Sequence, residues 1–321
     1  MQADPRVTVV VRSYQRPRAL AELLASLLEQ DHDSYEIVVV EQTVEMSDED
    51  AGRLAPLFAD PRVRVLRFPP LGGARARNEG VRAARGAIVV LIDDDDLPAD
   101  RGWIRGHEAH YLSDATLVGL SARQVRTPGE TCPYSPALRA LVRHVHMRFS
   151  PLGVPHIAFN RFDEDIDDVD LVNGTNGSVR RDVALRLGLW DEHMREYDEH
   201  SFGLKFRRMK RGAEHFAWKA TPTMVRRLDV VGGMNKRAGD LRKELRRQLM
   251  FSHRVIAEHH PVRFRAAYPL YLASALVRTM GFVWDPEWFR DPVVARLGRT
   301  ADLFRMFPRE LRDVRKAARA T

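Results

Sequence analysis

Cysteine is nearly absent: the 321-residue chain has one, Cys132. That excludes an internal disulfide framework, and the count suits a reducing compartment. Long apolar runs are also scarce. The longest, "AAYPLYLASALVRTMGFVW" (266–284), is interrupted by Pro269 and Arg278. It is weak for a spanning helix, which needs about 20 mostly apolar residues. A buried helix, or one lying at a membrane interface, fits better. The start, "MQADPRVTVVVRSYQRP", lacks a basic region ahead of a long apolar stretch. A secretory signal is therefore not expected, and the expected location is cytoplasmic. No internal repeat at solenoid spacing is present.

Charge of one sign is unevenly distributed. Residues 240–321 hold 17 Lys+Arg and 9 Asp+Glu, a net of +8, while residues 1–239 hold 34 and 35. The basicity belongs to a C-terminal segment, which suggests either an anionic partner or a solvated Arg-rich helical face. Because the basic residues are confined there, and no aromatic-rich basic strand or zinc spacing appears, a nucleic-acid-binding protein is disfavoured. The remaining composition, 44% hydrophobic and 30% charged, is that of a globular chain with one large α/β domain or two smaller ones.

Apolar patterning predicts strands over 6–12, 35–41, 62–68 and 87–93. Helices are predicted over 16–30, with Pro17 near the start, and 74–86, with Gly86 as a C-cap. Strands alternating with helices imply a mostly parallel sheet with right-handed crossovers. In such sheets ligands bind outside the carboxyl ends of the strands. Those ends deliver Ser13, Tyr14, Glu41 and the aspartates Asp93 to Asp96. Residues 105–160 give no firm assignment. "FDEDIDDVD" (162–170) reads as a loop, 171–188 as a strand, a turn and a helix from about Arg181. A helix over 198–212 has Phe202, Leu204, Phe206 and Met209 on its apolar side. From 240 onward the chain looks helical.

The four consecutive aspartates Asp93–Asp96 stand directly after five apolar residues, Ile88–Ile92. Such a run is either a solvated loop or a divalent-metal site. Mg²⁺ and Mn²⁺ prefer oxygen ligands, and Mg²⁺ binds through one or two carboxylates plus substrate phosphates. In an extended segment Asp93 and Asp95 point one way and Asp94 and Asp96 the other. One pair would then face a cleft and the other support the loop, and a bound cation would relieve the repulsion.

The segments "VTVVVRSYQRP", "YEIVVVEQT", "GGARARNEG", "IVVLIDDDDLP", "VNGTNGSVRRDV" and "LWDEHMREYDEHSFGLKFRRMKRG" occur in order across roughly residues 6–235. Together they resemble glycosyltransferase family 2, the inverting enzymes with a GT-A fold. The resemblance implies a nucleotide-diphosphate sugar donor, with a UDP-sugar favoured, a Mn²⁺ or Mg²⁺ ion and a single-displacement transfer. It places Ser13, Tyr14 and Arg16 near base and ribose. It puts Glu41, in "EQT" instead of the commoner "DDGS", at the base imide. Arg77 and Asn78 fall near base and phosphates. Asp93 and Asp95 match the DxD motif, with Asp94 beside the nucleotide and Asp96 a further metal ligand or brace. Gly174, Asn176 and Ser178 resemble the acceptor-side loop.

The family's catalytic base is the second acid of an "ED" pair opening a helix. Here the order is reversed, "YDEHSFGLKFRR". Alignment on Gly203 and Lys205 puts Glu199 at the base position and Asp198 beside it. A one-residue slip would exchange them. Arg226 and Arg227 occupy the neighbourhood where many relatives have a histidine, leaving the third metal ligand open; His193, His200 and His215 lie nearby in sequence.

The expected organisation is a GT-A domain over 1–239, with a nucleotide-binding half (1–100) and an acceptor-binding half (101–239), followed by a basic helical segment over 240–321. The resemblance implies a glycan, lipid-linked or small-molecule acceptor, in polysaccharide or glycoconjugate synthesis. The basic segment suggests peripheral contact with the inner membrane face, and homodimerisation is its competing use. A nucleotidyltransferase is the alternative enzyme, but the turn "RSYQRPRAL" has no glycine for a phosphate loop.

Overall fold

The computed structural model describes residues 4–155, 160–194, 197–227, 229–230, 240–284 and 293–319. Two compact units result, residues 1–150 with 155–230 and residues 151–154 with 231–321.

The first unit opens with alternating strands and helices: β1 (Val7–Ser13), α1 (Pro17–Leu28), β2 (Tyr35–Glu41), α2 (Asp48–Phe58), β3 (Val63–Arg67), α3 (Gly73–Ala83) and β4 (Ile88–Asp93). It continues with β5 (Asp96–Pro98), α4 (Trp103–Ser113), β6 (Leu117–Val125), α5 (Pro136–Val145), β7 (Ile166–Val169), β8 (Gly177–Arg180), α6 (Arg181–Arg186), α7 (Asp198–Met209) and β9 (His215–Arg226). The nine strands form one sheet in the order β3-β2-β1-β4-β8-β6-β9-β5, with β7 on β9. Strands β1, β2, β3, β4, β6 and β9 run one way, and β5, β7 and β8 run against them. The sheet is mostly parallel and flanked by helices, as the alternation predicts.

The central strands are buried on both faces, so they read as continuous apolar runs. Every residue of β2 is buried. On one face Val9, Val11, Ile37, Val39, Val90 and Ile92 meet Leu20, Leu23, Leu24 and Leu27 of α1 and Trp103 and Ile104 of α4. The α1 leucines recur at helical spacing, which is why that helix is legible in the sequence.

Local departures from expectation have physical reasons. Helix α3 ends at Ala83, before Gly86. Gly86 is not a C-cap: a Cβ there would lie 2.6 Å from the Thr8 amide nitrogen, so glycine permits close approach to β1. The acidic loop contains β7, which pairs with β9 through Ile166 and Val169, the two buried residues of the strand. Residues 171–176 form no strand; the strand follows the turn, as β8. Met209 is 37% exposed, while Phe202, Leu204 and Phe206 are buried.

The second unit is helical: α8 (Leu241–Phe251), which runs through a π-helical turn at Ser252–Ile256 into α9 (Ala257–His259), then α10 (Pro261–Ala266), α11 (Tyr268–Trp284) and α12 (Val293–Arg319). Its core joins Leu241, Leu245 and Leu249 of α8 to Ala275 of α11 and Leu303 and Val314 of α12. Among the described residues no helix is long and apolar enough to cross a membrane.

Candidate active site

Parallel β1, β2 and β4 end together. Their register pairs Ser13 with Glu41 and Arg12 with Asp93, so these residues meet at one carboxyl edge. Tyr14 follows there with its side chain half exposed, and Ser13 is buried. Glu41 is also buried, and one of its oxygens accepts from the Thr43 amide at 2.7 Å.

The aspartates are not extended. Asp93 closes β4, Asp94 and Asp95 make a turn, and Asp96 opens β5. The turn overrides the strand alternation expected for the run. It brings one carboxylate oxygen each from Asp93, Asp95 and Asp96 within 4.8 Å of one another. Asp94 stands outside this group; it is buried, accepts from the Tyr14 amide at 3.2 Å and pairs with Arg16.

Carboxylates this close repel, and the expected relief was a bound cation. The chain supplies its own counter-ions. Arg12 Nε donates to Asp93 at 2.9 Å, Arg16 pairs with both Asp94 and Asp95, and Arg226 sits opposite Asp96 in the β5–β9 register. Arg16, expected at base and ribose, is thus committed to the acidic turn. Compensation is incomplete. Burial, with Asp93 and Asp95 adding to it, pushes Asp96 up to about 8 despite Arg226. Burial pushes Asp94 up to about 7 despite Arg16. Three converging carboxylates whose mutual repulsion is only partly relieved fit a hard divalent cation, which takes oxygen ligands. Among the described residues no histidine joins the group.

A second acidic pair lies at the start of α7. Trp190 stacks on Phe202 (centroids 4.2 Å apart) and Phe206 on Phe216 of β9 (3.7 Å), anchoring the helix. Lys205 donates to the Leu189 carbonyl at 3.0 Å. Asp198 and Glu199 then occupy the first turn, where the helix dipole favours negative charge. Asp198 is buried and paired with Arg77, whose guanidinium lies 5.1 Å from the Trp190 ring centroid. Glu199 differs: its side chain is 34% exposed, and its Oε1 accepts from the Gly174 amide at 2.7 Å. Burial raises the Glu199 pKa above the ordinary glutamate value; Arg77 and the Gly174 amide pull the other way, and Asp198 adds to the rise.

Arg12 connects the two acidic groups. Burial works against its charge, but Asp93, Asp198 and Glu199 together raise its pKa. Arg12, Thr175 and the placement of Arg226 are the features that motif reading missed. Arg12 was visible as a charge inside the apolar strand "VTVVVRS". Thr175 donates to Asp96 at 2.8 Å, and its only signal is adjacency to Gly174.

Other expected residues go elsewhere. Asn78 is buried, donating to the Trp190 carbonyl at 2.7 Å and accepting from the Trp190 amide at 3.1 Å. Arg77 pairs with Asp198 and lies 3.5 Å from Glu199, because a buried guanidinium needs a buried counter-charge. Asn176 and Ser178 are fully buried against α4: Trp103 Nε1 donates to Asn176 Oδ1 at 2.8 Å, and Ser178 Oγ lies 3.1 Å from His107 Nδ1 and 3.0 Å from the Tyr111 hydroxyl. Both reach α4, whereas Thr175 between Gly174 and Asn176 donates to Asp96. His107 within this network is driven down to about 3 by burial, so it is neutral. Gly174 does lie at the site. A Cβ there would collide with Arg77 Nη2 and Glu199 Oε1. Gly174→Ala is expected to leave the fold intact, as judged by circular dichroism, and to cut turnover about 100-fold through displacement of Glu199.

The family model for glycosyl transferase family 2 matches residues 8–162. This stretch of the chain belongs to glycosyl transferase family 2. The family 2 stretch contains the three parallel strand ends and the acidic turn, and Thr175, Glu199 and Arg226 lie beyond it. Among curated relatives, the glycosyltransferase GlyG of Streptococcus pneumoniae serotype 4 is 33% identical over 94 residues, 28% of this chain and 30% of that protein. The succinoglycan biosynthesis protein ExoO of Rhizobium meliloti is 34% identical over 93 residues, 29% of this chain and 26% of that one. The matches thus span less than a third of these two relatives. The solved structure of the mannosyltransferase PcManGT from Pyrobaculum calidifontis, in complex with GDP-Man and Mn²⁺, aligns with 99% of this chain and 87% of its own at 18% identity and a TM-score of 0.53. That likeness is one of fold, and the fold is GT-A.

Proposed function

We propose that the protein is a metal-dependent inverting glycosyltransferase that moves a sugar from a nucleotide-diphosphate donor to a hydroxyl of a glycan or lipid-linked acceptor. The observation that carries this reading is the pairing of two sites in one unit: the Asp93–Asp95–Asp96 group at the strand ends, and Glu199, joined to it through adjacent Gly174 and Thr175. A Mn²⁺ or Mg²⁺ ion on those three carboxylates would neutralise the diphosphate leaving group. Tyr14 and Ser13 border the place a nucleoside would take at the strand ends. Glu199 removes the proton from the acceptor hydroxyl as its oxygen bonds to the anomeric carbon and the carbon–oxygen bond to the diphosphate breaks. Attack opposite the departing diphosphate inverts the anomeric centre. Asp198, held by Arg77, remains a positioning residue.

Two observations support Glu199 over Asp198 as base. It is the more exposed of the pair, and its raised pKa brings its basicity nearer neutral pH. The GDP-Man complex of the structural neighbour, with the UDP-sugar that the motif resemblance favours, makes GDP- and UDP-sugars the donors to test first. Calorimetric titration of UDP- and GDP-sugars with Mn²⁺ tests the assignment. Saturable binding that vanishes with chelator is expected, and no binding of any nucleoside diphosphate sugar would overturn it.

The base assignment also fixes a pH dependence. Activity should fall as pH drops through the Glu199 pKa, because the protonated acid cannot accept a proton. Arg77 lowers that pKa. Arg77→Met should therefore raise it and move the acidic limb of kcat/KM to higher pH. An unmoved limb would exclude Glu199 as the titrating group.

A further inference from the structure

The second unit leaves an apolar surface uncovered. On α11, Tyr271, Ala275 and Thr279 point into the unit and are buried. The opposite side presents Leu270 (56% exposed), Ala273 and Val277 (65%), and on α10 Val262 (80%) and Ala266 are exposed as well. Between Tyr268 and Met280 the only charged residue is Arg278, which packs over Phe251 at 6.0 Å. A water-facing helix side made wholly of apolar residues is unusual, because exposed helix faces normally carry charge.

Helix α12 repeats the pattern with charge alongside. Leu297, Ala301, Phe304 and Pro308 are exposed at spacings of four, three and four, which sets them on one stripe. Leu303, Glu310 and Val314 face the core. Beside the apolar stripe run Arg305, Arg309, Arg312 and Lys316, all exposed. On α10, Arg263 and Arg265 are likewise exposed beside Val262.

We infer that these faces of α10, α11 and α12 dock on an anionic phospholipid surface. The argument for that occupant is charge. A protein partner or second copy of this chain would have to neutralise a segment whose net charge is +8. An anionic bilayer supplies continuous negative charge next to hydrocarbon, the combination an apolar stripe flanked by arginines recognises. Each cation near such a surface adds to the attraction, and long arginine stems let the heads reach phosphate while the stripe is buried. Among the described residues no helix is long and apolar enough to span, so the contact we infer is a peripheral one.

The inference does not rest on the donor chemistry and is tested apart from it. The full chain is sedimented with phosphatidylglycerol–phosphatidylcholine vesicles and with phosphatidylcholine alone. Binding to the anionic vesicles, weakened by salt, is expected. The double variant Leu270→Glu, Val277→Glu should reduce partitioning about tenfold or more. Leu270→Ser with Val277→Ser, which adds no charge, guards against misfolding of the first and should weaken binding in the same direction. Undiminished binding by both variants, or equal binding to neutral vesicles, would overturn the inference. So would a wild-type dimer in sedimentation velocity that both variants dissociate and that binds no vesicle.

Discussion

Glu199→Gln is expected to lower kcat by about 10²–10⁴-fold while leaving donor affinity unchanged. The amide keeps the size of the side chain and can still accept from the Gly174 amide through its carbonyl oxygen. It cannot take a proton. The effect should therefore sit in kcat, and the Kd for donor measured by calorimetry should match the wild type. Asp198→Asn is the informative companion. Asp198 is buried against Arg77, so its loss leaves a buried guanidinium without its closest partner and should cost stability as well as activity. If Asp198→Asn instead kept its melting temperature and lost all turnover, while Glu199→Gln stayed active, the two roles would have to be exchanged.

The second large effect is expected at Asp95. Asp95→Ala removes one of three converging carboxylates and frees Arg16 from one partner. Metal-dependent donor binding should disappear at working concentrations, with turnover reduced by about 10²-fold or more. The fold should persist, because Asp95 lies in a turn at the sheet edge and contributes nothing to the core. Calorimetry with Mn²⁺ and donor, alongside circular dichroism, separates the outcomes. Donor affinity that remains metal-dependent in Asp95→Ala would remove this residue from the metal site.

The parallel part of the fold was legible because its elements satisfy local and long-range demands together. β1, β2 and β4 are doubly buried, so their residues are apolar without interruption, and α1 carries a full leucine stripe. Helix α2 is different. It has a clear start in Ser47, whose hydroxyl accepts from the Asp50 amide, but only Leu54 of its residues is buried. One buried residue leaves no period to read. β7 is four residues long, with the two central ones exposed, and its acidic composition masks its pairing to β9.

The candidate site was legible in which residues it gathers and less so in its geometry. Asp93, Asp95 and Asp96 could be chosen from sequence, but the reason they converge is a turn, which strand alternation cannot foresee. Asn176 and Ser178 sit in a motif that looks ligand-facing, yet their partners are Trp103, His107 and Tyr111 of α4, more than sixty residues away. Burial of that kind is decided by tertiary packing. The same holds for Arg77, whose sequence neighbourhood gives no hint of a counter-charge 121 residues later.

Strand β8 lies between β4 and β6, bonded antiparallel to both. Its four residues therefore stitch the half that carries the acidic turn to the half that carries α7. A pair of lobes joined by a loop could open like a jaw to exchange substrates. Here opening would have to tear the β4–β8 ladder, whose backbone groups are buried and have no water to turn to. The sheet acts as a fixed bench, and movement during turnover falls to the loops and side chains along its edge. Arg16, paired to both Asp94 and Asp95 of the acidic turn, is one such side chain.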